Sequence, residues 1–118
     1  MENKPISKTL SLDRIDYFQT HLSIVNCLIP VKLTPKEIEV LACFMSFTGT
    51  LAEDRFSTTG KKIVRETLQI SHQGLSNYMK SLSNSGFLIE TNGRTEILPL
   101  LQPNIDQQVY MIKLARKS

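Results

Sequence analysis

The stretch Leu68 to Glu90, LQISHQGLSNYMKSLSNSGFLIE, decides how this chain is to be read. Ser71 suits a helix N-cap, because its hydroxyl can accept a bond from a backbone N–H two or three residues on and an apolar-periodic run follows it. Leu75, Met79 and Leu82 share one face with Tyr78 beside them, whereas Gln73, Asn77, Lys80 and Asn84 fall on the opposite face. The spacing predicts a helix starting at Ser71, apolar on one side and amide-rich on the other. Gly86 is placed to stop it. Phe87 to Thr91, then Asn92-Gly93, then Arg94 to Leu98 read as two strands around the strongest short hairpin signal a sequence offers.

A shorter helix is expected just before, from about Gly60 to Thr67, with Ile63, Val64 and Leu68 inward, Thr59 as its cap and Gln69-Ile70 as the turn out of it. Helix, short turn, second helix and hairpin in this order resemble the winged helix-turn-helix family. The resemblance covers about Leu33 to Leu114, and its most specific part is IVRETLQISHQGLSNYMKSLSNSGFLIE. It implies a mainly α fold with a small β-hairpin or sheet, here preceded by an extra N-terminal helix. In that family the second helix enters the major groove and the hairpin is the wing. The same fold also serves as a protein-binding module, so the resemblance does not fix the function.

If the resemblance holds, the chemistry is that of reading DNA. Gln73 and Asn77, one turn apart, carry amides able to offer a donor and an acceptor together to adenine N7 and N6, and His72 and Ser76 flank them as further base contacts. Lys61, Lys62, Arg65 and Lys80 are placed to meet phosphates, as are the N–H groups beside Ser71 at the helix start. The wing is Asn92, Gly93 and Arg94, and Arg94 resembles the residue that such proteins slide into the minor groove. Each of these side chains has a plainer reading as a solvated polar residue with no ligand.

Composition bounds the rest. At 118 residues, with 41% hydrophobic and 21% charged, the chain suits one domain large enough to bury a core, residues 1–30 forming a tail and helix and 31–118 the winged-helix core. The net charge of +3 is unevenly placed: residues 1–59 hold six basic and seven acidic side chains, residues 60–118 eight basic and four acidic. The half expected to read DNA is therefore the basic half, as a phosphate-facing surface requires. No apolar run approaches the roughly 18 to 20 residues of a membrane span, and the opening MENKPISKTLS lacks a signal-peptide core, so a cytoplasmic protein is expected. Cys27 and Cys43 sit in apolar patterns without C-x-x-C spacing and read as buried, reduced thiols. Two histidines, no Gly-rich phosphate loop, no H-E-x-x-H and no G-x-S-x-G leave no basis for an enzyme, a metal site or a cofactor.

Before this core, a polar tail, Met1 to Ser7, is expected to be loose, and Ser11 or Asp13 to cap a helix running to about Leu28. Ile15, Phe18, Leu22, Val25 and Ile29 form a heptad-like seam along it; Tyr17, Ile24 and Leu28 form a second apolar stripe, with His21 on the same line. Two stripes call for two partners, and Tyr17, Ile24 and Leu28 are the expected interface of a homodimer on a palindromic site; the competing account is that the third strand or the Leu98 to Leu101 segment folds back over the second stripe and leaves a monomer. Pro30 ends the helix. Thr34-Pro35-Lys36-Glu37 then matches a capping box for a central helix reaching about Phe47. Thr48 to Thr58 reads as a loop in which Arg55-Phe56 forms a short strand, and Val109 to Leu114 as a third strand beside the wing.

The leading expectation is a sequence-specific double-stranded DNA-binding protein that regulates transcription, with a replication-initiator module as a variant. The runner-up is a winged-helix adaptor that binds protein within a polymerase, replication or larger assembly. A polar Gln/Ser/Asn face favours DNA, since a protein-binding helix would present an aromatic or aliphatic anchor there.

Overall fold

Thr34 begins the helix around which the others pack. Its hydroxyl accepts from the Glu37 backbone N–H at 3.2 Å while the Glu37 carboxylate accepts from the Thr34 N–H at 2.8 Å, completing the capping box. The computed structural model describes residues 9–104 and 106–117; the tail Met1 to Ser7 lies outside them. In the helix that follows, α2 (Pro35–Met45), every residue from Val40 to Met45 is buried. A helix apolar on all sides must be enclosed, and α2 packs against α1 (Arg14–Asn26), α4 (Thr58–Leu68) and α5 (His72–Asn84).

Asp13 caps α1, accepting from the Asp16 N–H at 2.9 Å. The expected seam is its contact with the core: Phe18, Leu22 and Ile29 are buried, with Ile15 and Val25 packed beside them. The helix ends at Asn26, two residues short of the expected Leu28. The Asn26 amide holds the connection to α2 by accepting from the Leu33 N–H at 2.7 Å and donating to the Leu33 carbonyl at 3.1 Å. Cys27, read as buried, is exposed because it is the C-cap beyond the last helical turn; Cys43 is buried.

Three further expectations are corrected between α2 and α4. The helix α2 stops at Met45 rather than Phe47, and its terminal carbonyls are taken by two arginines. Arg55 donates to the carbonyls of Phe44 (2.9 Å), Met45 and Phe47 (3.3 Å each), and Arg14 donates to that of Ser46 (2.6 Å). With Arg55 so engaged and the Phe56 ring stacked on Phe44 at 4.4 Å between centroids, no strand forms at Arg55-Phe56. The loop instead contains one helical turn, α3 (Thr50–Glu53). The cap of α4 is Ser57, whose hydroxyl accepts from the Gly60 N–H at 3.1 Å, not Thr59. Gly60 is demanded by close approach, since a Cβ there would lie 2.1 Å from the Arg55 carbonyl oxygen.

After α5, β1 (Leu88–Thr91) pairs antiparallel with β2 (Arg94–Ile97), Leu88 opposite Ile97 and Thr91 opposite Arg94. Asn92 at φ 53° and Gly93 at φ 77° turn the hairpin, the positive pair that a two-residue connection between right-twisted strands needs. Phe87, Leu88 and Ile97 close the core from this side. A single 3-10 turn, Pro99–Leu101, buries Leu101 and sends the chain back over α1. The expected third strand at Val109 to Leu114 does not form; among the described residues the sheet has two strands. The segment is held away by side chains on α1, where the Tyr17 hydroxyl donates to the Asn104 carbonyl at 2.7 Å and His21 Nδ1 accepts from the Tyr110 hydroxyl. The result is a mainly helical molecule of five helices and a small hairpin among the described residues, an arrangement compatible with a winged helix.

Candidate nucleic-acid interface

The connection from α4 to α5 is three residues long and sharply turned. Gln69 adopts the left-handed conformation (φ 54°, ψ 49°), which ends α4 and lets the Ile70 N–H reach back to the Arg65 carbonyl at 3.1 Å. Ser71 then caps α5 by accepting from the Gly74 N–H at 2.9 Å. The O–H of this exposed serine remains available as a donor. The N–H groups of His72 and Gln73 remain without intrahelical partners, as at any helix start.

Packing decides which face of α5 is left for a ligand. Leu75 and Leu82 are buried, and Tyr78 and Met79 are half-buried against the same core. From the opposite direction a buried carboxylate anchors the helix: Glu37, already in its capping box, uses its second oxygen to accept from the Ser81 hydroxyl at 3.0 Å. What remains outward is His72, Gln73, Ser76, Asn77 and Lys80, all exposed and repeating at three and four residues, hence on one face. Gln73 Nε2 donates to Asn77 Oδ1 at 2.9 Å. That bond leaves the Gln73 carbonyl oxygen as a free acceptor and the Asn77 NH2 group as a free donor, side by side at the surface.

The cations around this face carry no carboxylate. Among the described residues the only ion pair is Lys36 with Glu39, so Lys61, Lys62, Arg65, Lys80 and Arg94 have no acidic partner. Lys62 and Lys80 are exposed, and Lys61 and Arg65 are half-buried on α4. Arg94 opens β2 directly after the turn residues Asn92 and Gly93, and its guanidinium donates to the Glu53 carbonyl of α3 at 3.2 Å rather than projecting freely from the wing. The large apolar side chains that are exposed among the described residues lie in the N-terminal segment, at the end of α1, at Leu100 and in the C-terminal segment, none of them on α4, α5 or the hairpin.

The other expected site, the second stripe of α1, is partly covered by the chain itself. Tyr17 is bonded to Asn104, and His21 on the same line is buried, its Nε2 on the Leu101 carbonyl at 3.0 Å. Ile24 is half-buried, and Leu28 is 78% exposed. No group of three or more His, Cys, Asp or Glu side chains among the described residues could hold a metal ion, and no described helix is long and apolar enough to cross a membrane.

One bond and one backbone conformation that build the interface are not legible in the sequence. The S/T-x-x-E pattern at Thr34 marks Glu37, but nothing local to Ser81 shows that the second Glu37 oxygen finds its partner there, 44 residues on. The turn at Gln69-Ile70 is where the sequence places it, but the left-handed conformation of Gln69 has no sequence signal, because Gly or Asn is the usual occupant. Compared with protein-family models, with curated proteins and with solved structures, the chain finds no match.

Proposed function

We propose that this protein is a winged helix-turn-helix DNA-binding protein that reads duplex DNA by sequence and regulates transcription, with α5 in the major groove and the β1–β2 hairpin as the wing. The observation that carries this reading is the exposed face of α5: two coupled amides, a histidine, a serine and a lysine, with no apolar side chain among them. A helix that docked on a protein through this face would present an aromatic or aliphatic anchor. Amides and hydroxyls are instead the groups that read base edges.

The Gln73–Asn77 bond suggests how the reading works. Adenine offers N7 as an acceptor and N6 as a donor in the major groove. The free Asn77 NH2 group and the free Gln73 carbonyl oxygen are the complementary pair, held one turn apart and oriented by their mutual bond before DNA arrives. Pre-orientation lowers the entropy lost on binding. Lys62 and Lys80 then supply phosphate contacts from either helix, and Arg94 exchanges a weak bond to the exposed end of α3 for the DNA backbone or minor groove.

Binding to random-sequence duplex DNA at two salt concentrations tests the reading. Neutralising about 4 to 6 phosphates gives a slope of log K against log salt of roughly −4 to −5. Absence of binding at about 50 mM salt overturns it and favours the protein-adaptor function.

A further inference from the structure

We propose that two copies of this chain exchange their C-terminal arms across a twofold axis, each arm packing on the Leu28–Val31 patch of the other copy. The proposal goes beyond DNA binding and stands without it.

The arm begins where the chain's hold on itself ends. Asn104 and Tyr110 are fastened to Tyr17 and His21 on α1, but every residue from Met111 to Lys117 is exposed. This arm is not polar: Val109 is 74% exposed, Met111 83%, Ile112 75% and Leu114 96%. A second apolar patch lies at the end of α1, where Leu28 is 78% and Val31 52% exposed.

These two patches identify the occupant. A twofold assembly needs one surface to contain both members of a complementary pair, so that arm meets patch twice. Direct pairing of α1 with α1 through Tyr17, Ile24 and Leu28 fits less well, because the chain's own C-terminal segment already covers Tyr17 and His21. Area also favours a second copy. Six exposed apolar side chains of roughly 60 to 120 Å² each supply about 400 to 700 Å² per protomer. That is most of the roughly 800 Å² per partner found in stable interfaces before any backbone or lysine stem is counted.

Sedimentation of the full chain at about 50 µM tests this, with Kd converted from the mass distribution. The expected species has twice the 13.4 kDa mass of the chain. Leu28→Glu and Ile112→Glu, both at exposed positions, should each weaken association about tenfold or more, with the melting transition of the monomer unchanged. The decisive sample mixes Leu28→Glu with Ile112→Lys. Arm exchange gives one intact arm-on-patch contact and one Glu–Lys contact, so the mixture should dimerise better than either variant alone. A monomer at this concentration, a dimer that survives removal of residues 111–118, or a mixture no better than its components overturns the proposal.

Discussion

The Glu37 carboxylate accepts from the Thr34 backbone N–H with one oxygen and from the Ser81 hydroxyl with the other, so the group that starts α2 also holds α5. Glu37 is 5% exposed, and its removal would leave the Thr34 N–H without its partner. Glu37→Ala should therefore cost about 1 to 3 kcal/mol. Glu37→Gln should cost less than about 1 kcal/mol, because its amide oxygen can still accept from Thr34 and its NH2 group can donate to the Ser81 oxygen. Chemical denaturation of both variants measures the difference; equal losses would show that an amide cannot replace the carboxylate in this pair of bonds.

Reading and positioning on DNA are separable. Asn77→Ala removes the free donor of the coupled amide pair and should cost about 1 to 3 kcal/mol on the preferred site, with base preference relaxed there. Lys62→Ala should weaken all duplexes alike and flatten the salt slope by about one unit. Titrations of both variants on a selected and a random duplex check this. Equal losses on the two duplexes for Asn77→Ala would remove that residue from base reading.

Gly60→Ala should destabilise the fold although alanine is the better helix former. The new Cβ would lie 2.1 Å from the Arg55 carbonyl oxygen, a backbone atom that cannot swing aside. The clash outweighs the propensity gain of about 1 kcal/mol and should leave a net loss of about 1 to 3 kcal/mol. A thermal melt unchanged from the parent would show that the α3–α4 loop yields freely.

The hold of the C-terminal segment on α1 should weaken in acid. Leu101 offers a carbonyl oxygen, which only accepts, so His21 Nε2 carries the proton and Nδ1 is free to accept from the Tyr110 hydroxyl. Burial pushes the His21 pKa below its ordinary value, and the Leu101 carbonyl opposes this only in part. A lowered histidine pKa means the unfolded or released form binds the proton first. The stabilisation is therefore complete above the ordinary value of about 6.5 and is lost as the pH falls from there through the lower folded value. The titratable group against His21 is Tyr110; Tyr17, one turn earlier on α1, acts on Tyr110, and Asp106 acts on Tyr17. The ring resonances of Tyr110, the residue that His21 holds, should move toward those of a free tyrosine over that window, and His21→Gln should abolish the pH step; a step that persists in His21→Gln would have another origin.

Whatever closes within a few residues is legible in the order of the residues. The Thr34–Glu37 box, the caps at Asp13 and Ser71, the Asn92-Gly93 turn and the apolar faces of α1, α2 and α5 all depend on partners within one or two turns, so the order of residues suffices to find them. The polar face of α5 was legible for the same reason. Bonds between distant positions follow from packing alone: Arg14 to Ser46 across 32 residues, Glu37 to Ser81 across 44 and His21 to Tyr110 across 89. A guanidinium that can cap a helix or lie in a strand is assigned by whichever carbonyls packing brings near it, which is why Arg55 was misread. The segment Val109 to Leu114 has the composition of a strand but becomes one only if a strand edge is offered, and its anchors on α1 hold it where none is.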